Sequence, residues 1–183
     1  GQIRRQRQMC IRDSVKKIKR VAKIIIDYKK RNYKVIVVSS AMSGVTNELI
    51  KKSYEISDSF SDSEHDVLVS SGEQVACSLI AGRLIHEGHE SRSWLSWQVP
   101  ILTKGNYKIS RINQINKRNI IKYLKKGGIP IVTGFQGLND ENRITTIGRG
   151  GSDASAIMLA KFFKAERCII YTDVEGIYTT DPN

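Results

Sequence analysis

Residues 145–153 read TTIGRGGSD and run directly into ASAIMLAKFF at 154–163. The rest of the chain is organised around this stretch. Residues 144–147 form a short β-branched run that predicts a strand. Gly148, Gly150 and Gly151 make the turn after it, and residues 153–163 have the character of a helix. Glycines lack the Cβ atoms that would keep a backbone from wrapping an anion. Ser152 or Asp153 is placed to cap the helix, whose positive dipole end then faces the turn. Such a terminus suits phosphate or carboxylate. Arg149 adds a guanidinium that can grip a carboxylate through two parallel hydrogen bonds. On spacing alone, an ordinary helix cap beside a solvated arginine explains the stretch equally well.

Similar strand-to-loop units appear on either side. Residues 34–40 (KVIVVSS) predict a strand buried on both faces, and 41–46 a small-residue turn into a helix. Residues 129–133 predict another buried strand that delivers GFQG at 134–137, and 166–171 (ERCIIY) predict a further parallel strand ending at Thr172 and Asp173. Ligands of open α/β sheets bind at such carboxyl ends. Between these units lie helical patterns. Residues 14–30 place Val15, Ile18, Val21, Ala22, Ile25 and Ile26 on one face, with Ser14 as the expected cap. Residues 51–66 read as a helix end and a surface loop, with His65 solvated. Residues 66–87 read as two helical pieces around SSGEQ (70–74), and Glu73 opens the second. There a carboxylate can serve simply as a dipole partner, worth about 0.3–1 kcal/mol. Residues 90–103 predict strand, turn and strand, with Trp94 and Trp97 packing and Pro100 at an edge or turn. A hairpin turn follows at Gly105 and Asn106, then a helix over 117–126 ended by Gly127 and Gly128. The alternation predicts an α/β fold, a three-layer αβα sandwich on a mostly parallel sheet.

Composition is consistent with one soluble domain: 40% hydrophobic and 26% charged residues in 183. No apolar run approaches the roughly 20 residues of a membrane helix. The net charge of +12 invites a nucleic-acid partner, but residues 1–34 hold thirteen Lys and Arg against two Asp and Glu, and the other 149 residues are nearly neutral. Without a recognised nucleic-acid motif, the basicity is a local feature of the first segment. Cys10, Cys77 and Cys168 are odd in number and lack metal spacing, which points to a reducing compartment, the cytoplasm.

Taken together and in order, VVSSAMSGVTN (37–47), SSGEQ (70–74), GFQG (134–137), GRGGSD (148–153) and YTDVEGIYTTDP (171–182) closely resemble the catalytic domain of aspartokinases, of the amino-acid kinase family. The resemblance covers roughly residues 14–183 and implies transfer of the ATP γ-phosphoryl, with Mg²⁺, to the β-carboxylate of L-aspartate. It implies that Arg149 holds the α-carboxylate of aspartate and Glu73 its α-ammonium, with Gly44, Thr46 and Phe135 nearby. Gly150, Gly151 and Ser152 would cradle phosphate oxygens, and Asp153 would order the transfer centre. Ser40, Ser152, Thr172, Asp173, Tyr178 and Asp181 would hold the nucleotide. No metal-ligand set is assigned. A homo-oligomeric full-length protein is also implied.

Two departures from the pattern stand out. Residues 1–12 match nothing where family members carry a first strand and a Lys-Phe/Tyr-Gly-Gly turn, so they read as a disordered or foreign leader to a partial catalytic domain over 13–183. Asn183 stands where a basic residue is usual. The sheet is expected to be incomplete at both ends, and no ACT regulatory domain is expected within these residues. A catalytically incompetent fragment, a ligand-binding module of the same fold, and another kinase of the family are the alternatives. The other family kinases share the architecture but not the paired SGEQ and GRGGSD motifs.

Overall fold

The computed structural model describes residues 2–148 and 150–171, with side chains from residue 15 onward. The elements are α1 (Gln2–Lys30), β1 (Val37–Ser39), α2 (Val45–Ile56), α3 (Asp62–His86), β2 (Ser91–Trp94), β3 (Ile101–Lys104), β4 (Arg111–Ile115), α4 (Arg118–Lys125), β5 (Ile129–Thr133), β6 (Gln136–Leu138), β7 (Ile144–Thr146) and α5 (Gly151–Phe163). β5 is the centre of a parallel sheet in the order β1-β5-β2. A second, mixed sheet runs β4-β3-β6-β7, with β3 and β6 parallel and the outer pairs antiparallel.

β5 is buried at every position, and alternation along it sorts the core into two layers. Ile129 and Ile131 pack with Ala22, Ile25 and Ile26 of α1 and Cys77, Ile80, Ala81 and Leu84 of α3. Val132 packs on the other side with Ile120 of α4, Leu159 of α5 and Trp94. β1 follows the same rule, with Val37 on the first side and Val38 on the second. The result is the expected αβα sandwich.

Several local expectations are corrected. α1 is already helical at Gln2, so the helix does not begin at Ser14. α3 is one helix of 25 residues, and Glu73 sits inside it rather than at an N-terminus. The supposed break at Gly72 is a close approach instead: a Cβ there would lie 2.9 Å from Ala41 Cβ and 3.2 Å from Val45 Cγ1. His65 is therefore on a helix, and its side chain is only 15% exposed. Trp94 is buried and meets Tyr123 edge-on at 5.7 Å, but Trp97 is partly exposed. Residues 166–171 form no strand. An isolated β-branched run needs a paired neighbour, and Ile169 and Ile170 stand in solvent.

Candidate functional site

Two strand-to-helix connections and the β5–β6 loop meet at one cavity of ≈ 230 Å³, lined by Ser40, Ala41, Thr46, Glu73, Phe135, Gly150, Gly151, Ser152 and Asp153. Ser40 and Ala41 follow β1. Phe135 follows β5, and Gly150 to Asp153 follow β7 and open α5. The first two of these strands are parallel neighbours, so their carboxyl ends lie side by side. This is the crevice position at which α/β sheets take ligands.

The helix of the glycine turn begins differently from the expected cap. Gly150 occupies the cap position with φ 75°, in the left-handed region, and no side chain caps α5. Ser152 and Asp153 belong to the first turn instead. That turn lines the cavity, and backbone N–H groups without a side-chain cap are donors for an anion. Gly151 must be a glycine for a second reason: a Cβ there would lie 2.6 Å from the Phe135 ring and 3.0 Å from Ile147 Cβ. The turn and the 134–137 loop are thus packed backbone against ring. Phe135 is itself left-handed at φ 65°. Its N–H donates to Ser155 Oγ at 3.0 Å, and Ser155 Oγ–H donates to the Gly151 carbonyl at 2.7 Å. Gly134 passes close to both neighbours, 3.1 Å from the Ser39 carbonyl and 3.3 Å from Ser152 Cα as measured from a Cβ placed on it.

Glu73 is the electrostatic centre of the cavity. It is 3% exposed, and one carboxylate oxygen accepts the Ala41 N–H at 3.1 Å. The other, Oε2, is buried with no partner. Burial pushes the carboxyl up from its usual 4.5 to about 7, against the pull of the Ala41 N–H. A ligand bringing a cation to Oε2 would supply the missing partner and return the group to its ionised form.

Of the residues singled out in the sequence, Ser40, Thr46, Glu73, Phe135, Gly150, Gly151, Ser152 and Asp153 are brought together here. Gly44 is not on the wall; it caps α2 at φ 82°, two residues before Thr46. Arg149, Thr172, Asp173, Tyr178 and Asp181 lie outside the described residues. Ala41 was expected only as part of the 41–46 turn, and Ser155 was not foreseen. Ser155 is legible in retrospect as a buried hydroxyl one turn beyond Gly151, where a side chain bonds back to the helix carbonyl. No group of three or more His, Cys, Asp or Glu among the described residues could hold a metal ion. Apart from Glu73, Asp153 is the only carboxylate on the described wall. That fits Mg²⁺, which is held by one or two carboxylates plus substrate phosphates.

The crevice at the strand ends brings together a glycine turn, a helix N-terminus and one buried carboxylate. The amino acid kinase family model matches residues 9–183, and the chain belongs to that family. It is 47% identical over 172 residues to the aspartokinase of Rickettsia conorii, covering 92% of this chain and 43% of that protein. An aspartate kinase structure from Synechocystis superposes with TM-score 0.77 at 38% identity, over 92% of this chain and 28% of that one. E. coli aspartokinase III in complex with aspartate and ADP superposes with TM-score 0.76 at 25% identity, over 90% of this chain and 47% of that one. The chain therefore spans about two-fifths of the length of the curated relatives it matches.

Proposed function

We propose that this chain carries the aspartate site and the phosphate-facing wall of an aspartate kinase. The reaction passes the γ-phosphoryl of ATP to the β-carboxylate of L-aspartate, giving 4-phospho-L-aspartate and ADP. The observation that carries this reading is the buried, unpartnered Oε2 of Glu73 at the wall of the cavity. A carboxylate hidden from water and lacking a cation is costly unless a ligand completes it. The α-ammonium of an amino acid does so, and that fixes the amino acid by its backbone end.

The chemistry then needs little beyond placement. A substrate carboxylate oxygen is already a nucleophile, so no general base is required. It forms the new P–O bond while the bond between the γ-phosphorus and the bridging oxygen breaks, and ADP leaves with the electron pair. Glu73 and Arg149 hold the two ends of the amino-acid backbone, orienting the β-carboxylate for in-line attack. Thr46 offers a hydroxyl and Phe135 a flat apolar wall to the substrate. Gly150, Gly151 and Ser152 present backbone donors to the phosphoryl oxygens, and Ser40, Thr172, Asp173, Tyr178 and Asp181 take the nucleotide. Mg²⁺, held through Asp153 and the phosphates, would neutralise charge on the transferring group.

The product places the reaction at the entry to lysine, threonine and methionine synthesis. A cytoplasmic setting is supported by the free thiols of Cys77 and Cys168, and no helix among the described residues is long and apolar enough to cross a membrane. Homo-oligomerisation rests on the family resemblance.

The test is aspartyl-hydroxamate formation with ATP, Mg²⁺, L-aspartate and hydroxylamine, with L-glutamate as control. Aspartate-dependent product is the expected result, and Glu73→Gln should raise the aspartate KM at least about 30-fold, the scale for losing a buried charge-assisted contact. Aspartate binding without product would make the domain a ligand-binding module of the same fold. Absence of aspartate binding by the folded chain would reject the reading.

A further inference from the structure

We propose that Asp66 is a positioning residue for this cleft: through Thr146 it fixes the strand end that leads into the glycine turn, and so sets the spacing between that turn and Glu73. The inference rests on the substrate reading above.

On α3, Asp66, Ser70, Glu73 and Cys77 recur at i, i+4, i+7 and i+11, which puts them on one face. Each is fastened to a different part of the β layer. Asp66 is fully buried. Its Oδ2 accepts the Thr146 N–H at 2.7 Å and the Lys108 N–H at 3.0 Å, and its Oδ1 accepts the Thr146 hydroxyl at 2.7 Å. The Ser70 carbonyl accepts the Gln136 side-chain amide at 3.0 Å. Glu73 accepts the Ala41 N–H, and the Cys77 thiol donates to the Ile131 carbonyl at 3.7 Å. Gln136 and Thr146 are register partners on β6 and β7, so Asp66 and Ser70 grip opposite members of one pair.

This arrangement acts as a ruler. Seven residues of helix put Glu73 about 10 Å along the axis from Asp66. β7 ends at Thr146, and the chain reaches Gly150 on the cavity wall four residues later. Among the described residues, Thr146 is the last at which a hydrogen bond ties this strand to α3 before the turn. A carboxylate suits the post because three donors converge on it from two segments. Asparagine can serve nearly as well, with its oxygen taking both N–H groups and its amide donating to Thr146 Oγ1. Alanine cannot.

The experiment compares Asp66→Ala, Asp66→Asn, Thr146→Val and Thr146→Ser with the unsubstituted chain, in full-length protein where it extends further. L-aspartate and ATP affinities are read by calorimetry, and amide exchange at Ile147, Gly148, Gly150 and Gly151 by NMR or mass spectrometry. Asp66→Ala and Thr146→Val should weaken aspartate about tenfold, leave ATP within about twofold, and speed exchange at the turn, as expected for a lost hydrogen bond to a charged group. Asp66→Asn and Thr146→Ser should restore both readouts. Should Asp66→Ala fail to fold, the Thr146 pair decides. Unchanged aspartate affinity in folded Thr146→Val, equal loss for both ligands, or no rescue by the conservative variants overturns the proposal. If the unsubstituted chain binds no aspartate, the substrate reading fails on its own, and the exchange comparison still judges the fastening: unchanged exchange in Thr146→Val rejects it.

Discussion

Asp66 and Glu73 are two buried carboxylates on one face of one helix, and their surroundings are opposite. Asp66 has three donors on its two oxygens. Glu73 has one backbone donor on one oxygen and none on the other. Burial alone does not distinguish a structural acid from a ligand-binding one, since both are nearly inaccessible. The count of satisfied lone pairs does. A saturated carboxylate has spent its bonding capacity holding the protein together, whereas an unsaturated one retains capacity for something that arrives later.

The sharpest way to break this distinction is to remove each acid in turn. Asp66→Ala strands the Thr146 and Lys108 donors, and should lower the unfolding free energy by about 4 kcal/mol. Glu73→Ala removes a group that is desolvated and half-paired, and should cost little or raise stability. Urea unfolding of both variants at pH 8 checks the contrast; equal losses would show that Glu73 is as structural as Asp66.

The pH dependence gives the next largest effect, and its sign is opposite to that of an ordinary paired carboxylate. The Glu73 carboxyl is raised in the fold from 4.5 to about 7. Below about 4.5 both folded and unfolded chains hold the proton, and the group contributes no difference. Between those values the folded state keeps a proton that the unfolded state has lost. Above about 7 the fold must carry the buried charge. Stability therefore falls as pH rises through this window, by about 3 kcal/mol for this residue. The difference in unfolding free energy between the unsubstituted chain and Glu73→Gln isolates it, and a difference that stays flat from pH 4.5 to 8 would remove the buried-charge argument. Aspartate, by pairing with the ionised form, should flatten the slope.

How much of this was legible in the sequence depends on whether a feature is local. The strand 129–133, the glycine turn before α5 and the end of α4 at Gly127 announce themselves by composition within a few residues. Most of the cleft wall was reached through the resemblance of its loops to the family's motifs, with the strand-end position of those loops in support. The unbroken α3 was not. Gly72 reads locally as a break, and only the proximity of Ala41, more than thirty residues away in sequence, explains why a glycine stays inside a helix. The strand expected at 166–171 failed in the opposite direction, since its β-branched residues carry no information about whether a neighbouring strand is there to pair with. Asp66 escaped notice because a buried acid in a polar stretch resembles a solvated one until its donors, distant in sequence, are seen. Gly72→Ala tests the first of these points: the added methyl meets Ala41 and Val45 and should cost about 2 kcal/mol by overpacking, despite alanine's better helix propensity. A gain in stability would mean that the two segments separate readily, and that Ala41 does not hold Glu73 as described.

Ser155→Ala carries the smallest expected effect and the finest information. Ser155 Oγ stands between two ligand loops, accepting from Phe135 N–H and donating to the Gly151 carbonyl. Without it Phe135 keeps its left-handed conformation only through the Ile147 N–H bond to its carbonyl at 2.8 Å and the contact of its ring with Gly151. A non-glycine residue in that region costs roughly 1–2 kcal/mol relative to ordinary backbone, so the loop has a standing tendency to relax. The variant should lose about 1 kcal/mol of stability by denaturant unfolding. Its effect on aspartate affinity should exceed its effect on ATP affinity, because Phe135 is assigned to the amino-acid side. Calorimetric titration of both ligands measures that split. A larger loss for ATP would move Phe135 and its hydroxyl brace to the phosphate side of the cleft, and would leave Glu73 as the residue that still marks where the amino acid sits.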